Sequence, residues 1–411
     1  MKNLFTCTKM ILKTLSVMAV FVIGFTGCET KPDPSAYDPN FKGDATPVIT
    51  ALTPASEGFA GVTTVTITGQ NFSPVPSQNI VQFDTYTATV LEATSTTLKV
   101  LPPNVVQADM PVRVATLGAV NWGYYAQKFS LKAAALEFGG FKPNNELPYA
   151  IATDAAGNIY ASVVAFNVGV GIWKILPDGT HTTFAPKGGE TSWSSLKVGP
   201  NGDLYGARNV KAVFQIQAGK AGTTFASSGL GTIYEIDFDK NKNIWAGGNN
   251  DFLYSITPAK VVKSFAINPK SNIRAIKVFA TGGKDYVYFA GKVDTSEKVF
   301  RMEIKTAAAD QVGTIEEVFN FSEKFPGFQI SALTFAQDGD MIIGTDHSNA
   351  IVIVHPDKTF EPLFKGVIYP KAQAFAWAGS TLYYSRARVD TTQTLIKVNI
   401  GKQGAPSYGG L

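Results

Sequence analysis

Few groups in this chain could make or break a bond. Three histidines, His181, His347 and His355, and two cysteines, Cys7 and Cys28, are all that 411 residues offer. Only His347, in Asp346-His347-Ser348-Asn349, falls on a loop between two apolar strands; the other two lie on or beside strands. A Ser/His/Asp triad needs its histidine beside an activated serine, and no Gly-x-Ser-x-Gly elbow is present to expose one. Zinc held by three histidines fails for want of clustered ligands. Binding chemistry is better supplied. Tyr149, Trp193, Tyr234 and Arg274 stand at the entrances of apolar strands, and neighbouring loops carry Arg208, Asn249, Asp346, His347, Arg386 and Arg388. Flat aromatics beside amides and charged donors suit sugars, which present an apolar ring face and a rim of hydroxyls. These nine residues, Tyr149 through Arg386 without Arg388, are the candidate ligand site.

The elements that position them repeat. One strand type recurs at Ile159–Ser162, Leu204–Ala207, Ile244–Gly247, Val287–Ala290, Met341–Gly344 and Leu382–Ser385, at intervals of 45, 40, 43, 54 and 41 residues. Each copy follows an apolar strand, usually across a tight turn such as Ala156-Gly157-Asn158 or Asp338-Gly339-Asp340, and each is followed by a third strand. Four strands at a period near 40 to 45 residues mark the blade of a β-propeller, and six blades fit residues 132–411. The inner strands of such a ring line a channel, with the entering loops and the loops between second and third strands on one face. The sixth copy runs out of chain after its third strand. Ala134-Ala135-Leu136-Glu137-Phe138-Gly139, ahead of blade one, is expected to supply the missing strand and remove the open edge.

Pro148-Tyr149-Ala150-Ile151-Ala152-Thr153-Asp154-x-x-Gly157-Asn158-Ile159-Tyr160 and Leu333-Thr334-Phe335-Ala336-Gln337-Asp338-Gly339-Asp340-Met341-Ile342 resemble NHL-type and gluconolactonase-like propellers. These motifs specify blade geometry more than chemistry, since glycine and Asn/Asp serve the turn between the first two strands. The resemblance implies one enzymatic rival, a calcium-dependent lactonase that holds the cation with a Glu, an Asn and an Asp at the channel mouth. Glu146, Asn209, Asn249, Asp251, Asp294 and Asp346 could contribute oxygens, yet no copy carries that ligand pattern intact. The reading without catalysis needs no cofactor and no metal, calcium being the one candidate ion.

The N-terminal third addresses location. Lys2, Lys9 and Lys13 precede an apolar run from Leu15 to Phe25, which ends in Phe25-Thr26-Gly27-Cys28 before a polar stretch. That order is a bacterial secretion signal, with an apolar core shorter than the roughly 20 residues a membrane-spanning helix needs. A small residue before the cysteine resembles the lipobox of lipoproteins, which implies cleavage after residue 27 and acylation of Cys28. Residues 28–46, with three prolines and few large apolar groups, are expected to act as a flexible tether. Short alternating strands follow. Ile49-x-x-Leu52-x-Pro54, Gly69-x-Asn71-Phe72 and Leu101-Pro102-Pro103 resemble an IPT/TIG domain over residues 47–131, an immunoglobulin-like module that implies a spacer or interaction role.

Loss of residues 1–27 removes three lysines and no acid, so the formal charge falls from +4 to +1. A near-neutral exported chain without a Lys/Arg run is a poor partner for nucleic acid. Cys7 leaves with the leader and Cys28 carries lipid, so no disulfide or thiol nucleophile remains. The expectation is therefore all-β: an immunoglobulin-like sandwich followed by a six-bladed β-propeller, held in the outer membrane by lipid alone and facing the cell exterior. Its resemblance to accessory lipoproteins of glycan-uptake systems makes a polysaccharide or oligosaccharide the expected ligand, with an outer-membrane protein as the second possible partner.

Overall fold

A computed structural model describes residues 42–267, 270–386 and 394–410. The leader, Cys28, the tether up to residue 41 and Arg388 lie outside the described residues.

The first part is a β-sandwich. Its strands are Val48–Thr53, Glu57–Phe59, Val65–Gln70, Asn79–Phe83, Tyr86–Ala93, Thr97–Leu101, Gln107–Thr116 and Gly123–Lys132. Tyr86–Ala93 pairs with Asn79–Phe83 on one side and with Thr97–Leu101 on the other, and a register shift between Val90 and Glu92 lets it pass from one layer to the other. The two-residue alternation sends Val65 and Ile67 inward, where they meet Val81, Phe83, Leu98, Val100, Val112 and Phe129. Phe83 and Phe129 meet edge to face at 5.5 Å. Each such buried side chain contributes about 1.5–3 kcal/mol, so the layer pair stands without any cross-link.

The second part is a ring of six four-stranded antiparallel sheets. The innermost strands of blades one to six are Glu146–Thr153, Ser195–Val198, Glu235–Phe238, Ser271–Thr281, Ile330–Phe335 and Ala374–Ala378. Blade six takes its outer strand, Ala135–Glu137, from the chain ahead of blade one, with Ile396 opposite Glu137 and Val398 opposite Ala135. The Phe138 amide extends the pairing to the Leu395 carbonyl at 2.8 Å. The core is six slabs, each filled from two neighbouring blades. Ile151, Ile159 and Ala161 of blade one meet Ala376, Tyr383 and Leu395 of blade six, which completes the ring.

Carboxylates at the repeated turns have a structural task. Asp154 Oδ1 accepts from the Ala156 and Asn158 amides, and Oδ2 from Asn158 Nδ2 and the Tyr160 hydroxyl, all at 2.8–3.0 Å. Asp239 does the same in blade three for Asn241, Asn243 and Trp245 Nε1. One carboxylate thus closes the turn and locks the aromatic of the next strand, which is why the motif recurs.

After blade six the chain crosses the face opposite the strand entrances. Lys402 Nζ reaches Asp338 at 2.6 Å and Asp340 at 2.5 Å, and the Ala405 amide donates to the Phe335 carbonyl at 2.9 Å. The Tyr408 carbonyl accepts from Lys242 Nζ at 2.7 Å. Two glycines permit this course: a Cβ on Gly404 would lie 2.4 Å from the Trp377 ring, and one on Gly409 2.1 Å from the Val198 carbonyl oxygen.

Candidate functional site

The entrances of the inner strands bring Tyr149, Tyr234 and Arg274 to one end of the channel. Backbone geometry fixes each: Ser385 Oγ donates to the Tyr149 carbonyl and Ser194 Oγ to the Tyr234 carbonyl, both at 2.6 Å. Arg274 donates from Nε to the Ile330 carbonyl at 2.7 Å and pairs through Nη2 with Glu297 Oε2. Both tyrosines are half-buried. Burial pushes the Tyr234 hydroxyl above its ordinary pKa, Glu235 adds to this, Arg274 pulls it back, and Tyr149 raises it again. The Tyr234 hydroxyl therefore stays protonated at neutral pH, able both to donate and to accept a hydrogen bond.

Within the channel a small pocket of about 20 Å³ is lined by residues of the inner strands, Ser195, Lys197 and Glu235 among them. Glu235 stands there, accepting from Ser195 Oγ at 2.8 Å and Lys197 Nζ at 2.6 Å. Burial works against the Lys197 charge, but Glu235 and Asp237 more than offset it and hold its pKa above the ordinary value. Lys277 Nζ lies 3.1 Å from Asp237 Oδ2, which also accepts the Val278 amide at 2.8 Å. A second, wider cavity of 440 Å³ lies toward the C-terminal segment.

Trp193 corrects the sequence-based expectation. It is 1% exposed and packs between blades one and two with Leu196, Ala212 and Phe214. Its ring meets Phe214 edge to face at 5.4 Å, and its amide donates to Ser162 Oγ at 2.9 Å. The turn ahead of Ser195 drives the side chain into a slot left open by Gly206 and Gly222, so it shows no face to a ligand. Arg386 is corrected likewise: it is 5% exposed, and its guanidinium is committed to the Pro370 carbonyl. Arg208 covers Phe214 at 4.2 Å and pairs with Glu190 at 3.3 Å, a packing position beside Trp193.

Asn249 is exposed at the entrance side of blade three. Asp346 Oδ1 accepts the Gln329 amide at 2.7 Å, and His347 Nδ1 accepts the Asn349 amide at 2.9 Å. The His347 ring is held edge to face against Phe325 at 5.4 Å and Phe328 at 4.3 Å. With Nδ1 occupied as an acceptor, this imidazole does not offer the Nδ1–H that a triad histidine donates to its carboxylate. The six oxygens considered for calcium stand on five different blades. Glu146 closes on the Lys142 amide, Asp251 accepts the Ser271 amide, and Asp294 faces Lys270. Among the described residues, no three His, Cys, Asp or Glu side chains come together as a metal site.

Sequence reasoning missed a rim. Phe166, Phe328 and Tyr369 are 66%, 37% and 53% exposed on loops at the entrance face, and Phe252, the first residue of a strand, is 41% exposed beside them. The signal was available in Phe166: an aromatic beside Asn167 at the tip of a two-residue hairpin, where both φ angles are positive, has no core to fill.

Residues 47–131 match the IPT/TIG domain family. An auxiliary nutrient binding protein from Bacteroides thetaiotaomicron superposes with a TM-score of 0.51 at 12% identity, over 88% of this chain and 98% of that one. A protein described as a putative phosphatase from the same organism gives 0.54 at 13% identity, over 89% and 98%. A luciferin-regenerating enzyme gives 0.51 at 13% identity, over 67% of this chain and 99% of its own. No curated protein matches the sequence. At such identities the likeness concerns the fold, which serves binding proteins and enzymes alike. The protein is an IPT/TIG domain, residues 47–131, followed by a six-bladed β-propeller.

Proposed function

We propose that the chain is a lipid-anchored protein of the outer membrane, facing the cell exterior, whose propeller binds an oligosaccharide or polysaccharide at its entrance without turning it over. The observation that carries this reading is the placement of half-buried Tyr149, Tyr234 and Arg274 at the inner strands of blades one, three and four, each held in place by a hydrogen bond to a neighbouring blade. Half-buried rings offer apolar surface, and hydroxyls with a guanidinium offer the hydrogen bonds that a sugar rim requires. The rim of Phe166, Phe252, Phe328 and Tyr369 adds further contact surface around that entrance. The shared fold with a protein named for auxiliary nutrient binding supports the same reading. The engagement of His347 and the dispersal of the carboxylates speak for binding over lactone hydrolysis.

The test is a glycan array probed with the mature protein, followed by calorimetry on each hit. Tyr149→Ala and Tyr234→Ala are expected to weaken binding by about 5- to 150-fold, the equivalent of roughly 1–3 kcal/mol. Unchanged affinity in both variants places the ligand elsewhere. Hydrolysis of lactones only in the presence of calcium would replace the binding reading with an enzymatic one.

A further inference from the structure

The 440 Å³ cavity lies toward the C-terminal end of the channel and shares Ile151, Lys197, Leu333 and Phe375 with the small pocket beside Glu235. Its volume falls within the range of small-ligand pockets, roughly 300–1,000 Å³. Its outer wall is a built feature. The C-terminal segment pairs with blade five through Gly404 and Ala336, is tied down by Lys402 on Asp338 and Asp340, and relies on Gly404 and Gly409 to pass against Trp377 and Val198.

Among the described residues, two cations and one carboxylate line this cavity. Lys197 and Lys277 line it, whereas their carboxylate partners Glu235 and Asp237 do not. An ammonium carries three donors. Lys197 gives one to Glu235 Oε1 at 2.6 Å, and Lys277 meets Asp237 Oδ2 at 3.1 Å. Among the described residues Asp154 is the one carboxylate on the wall, and its oxygens are filled by the turn it organises. Thr334 Oγ1 accepts from Trp377 Nε1 at 3.1 Å, so its own proton is free to donate, and the half-buried rings of Phe375 and Trp377 supply apolar wall.

We propose that this chamber is a second binding site, for a small organic acid whose carboxylate or phosphate is held by Lys197 and Lys277. Charge-assisted hydrogen bonds from two ammoniums select an anionic oxygen group over a neutral hydroxyl. The rings accommodate the carbon skeleton.

The test uses the full chain with three probes of similar size: glucuronate, glucose 6-phosphate and glucose. Calorimetry and thermal shift are expected to show saturable binding of at least one acid and a dissociation constant at least about tenfold weaker for glucose. Lys277→Met is expected to weaken the acid about tenfold or more, but it leaves Asp237 buried without its partner and can unfold the blade. Ser407→Trp is the safeguard: it fills the chamber from the exposed C-terminal segment without touching either ion pair, and is expected to abolish acid binding at an unchanged melting temperature. Tyr149→Ala with Tyr234→Ala is expected to leave acid binding intact, which separates this site from the entrance. The proposal is overturned if neither acid binds the parent, if glucose binds as tightly, or if acid binding survives Ser407→Trp.

Discussion

Replacing Trp193 by alanine separates packing from ligand contact most sharply. The side chain is 1% exposed among Leu196, Ala212, Phe214 and Ile216, with Gly206 and Gly222 flanking the ring. Removing a buried tryptophan costs about 3–5 kcal/mol, and the edge-to-face pair with Phe214 at 5.4 Å adds about 0.5–1.5 kcal/mol. Against this, Trp193 Nε1 is buried without a partner among the described residues, and its removal relieves a penalty of about 1–3 kcal/mol. The net loss is about 3 kcal/mol. For a domain of this size a loss of 1 kcal/mol lowers Tm by about 2–4 °C, so Trp193→Ala is expected to melt about 6–12 °C lower. Differential scanning calorimetry of the parent and the variant measures it, with glycan titration of the same samples below the transition. A shift under about 2 °C together with loss of ligand would refute the packing argument and return Trp193 to the binding face.

Three further outcomes follow from the geometry. A chain beginning at Asn144 loses the strand Ala135–Glu137 that closes blade six and should melt far below one beginning at Lys132; equal melting temperatures would deny that this strand matters. His355 Nδ1 bonds Asp340 Oδ1 at 2.9 Å, which holds the imidazole above its ordinary pKa, with burial and Lys402 opposing and Glu361 assisting. Because the folded value is the raised one, the stabilisation is complete below about pH 6.5 and fades as pH rises through the folded pKa, so His355→Gln should lower Tm more at about pH 5.5 than at about pH 8.5. A gap that does not change with pH would remove the ionic part of that contact. Cys28→Ser should move the protein from the membrane fraction to the soluble fraction, and retention without acyl mass on the mature N-terminus would end the lipid-anchor reading.

The fold could be read early because it rests on short-range regularities. Apolar strands recurring every 40 to 54 residues, with Asp154 and Asp239 at equivalent turns, describe a blade whose strand pairing lies within one repeat. The closing strand was legible for a related reason: a sheet that runs out of chain leaves an edge, and residues 134–139 were the apolar segment left without a sheet. Tyr149, Tyr234 and Arg274 reach one entrance because inner strands of a propeller all run the same way, so equivalent positions in the repeat share an end. Depth was another matter. Trp193 and Arg386 stand at loop positions much like those of Tyr234 and Asn249, yet they are buried: Trp193 against Phe214 and Gly222 of blade two with its amide bonded to Ser162 of blade one, and Arg386 against Pro370 of the preceding loop. No periodicity within a repeat encodes that. The glycine-rich stretch after residue 400 carries no strand pattern of its own for the same reason. Gly404 and Gly409 acquire meaning only against Trp377 and Val198, from the inner strands of blades six and two, and the chamber they close exists only once the ring has formed.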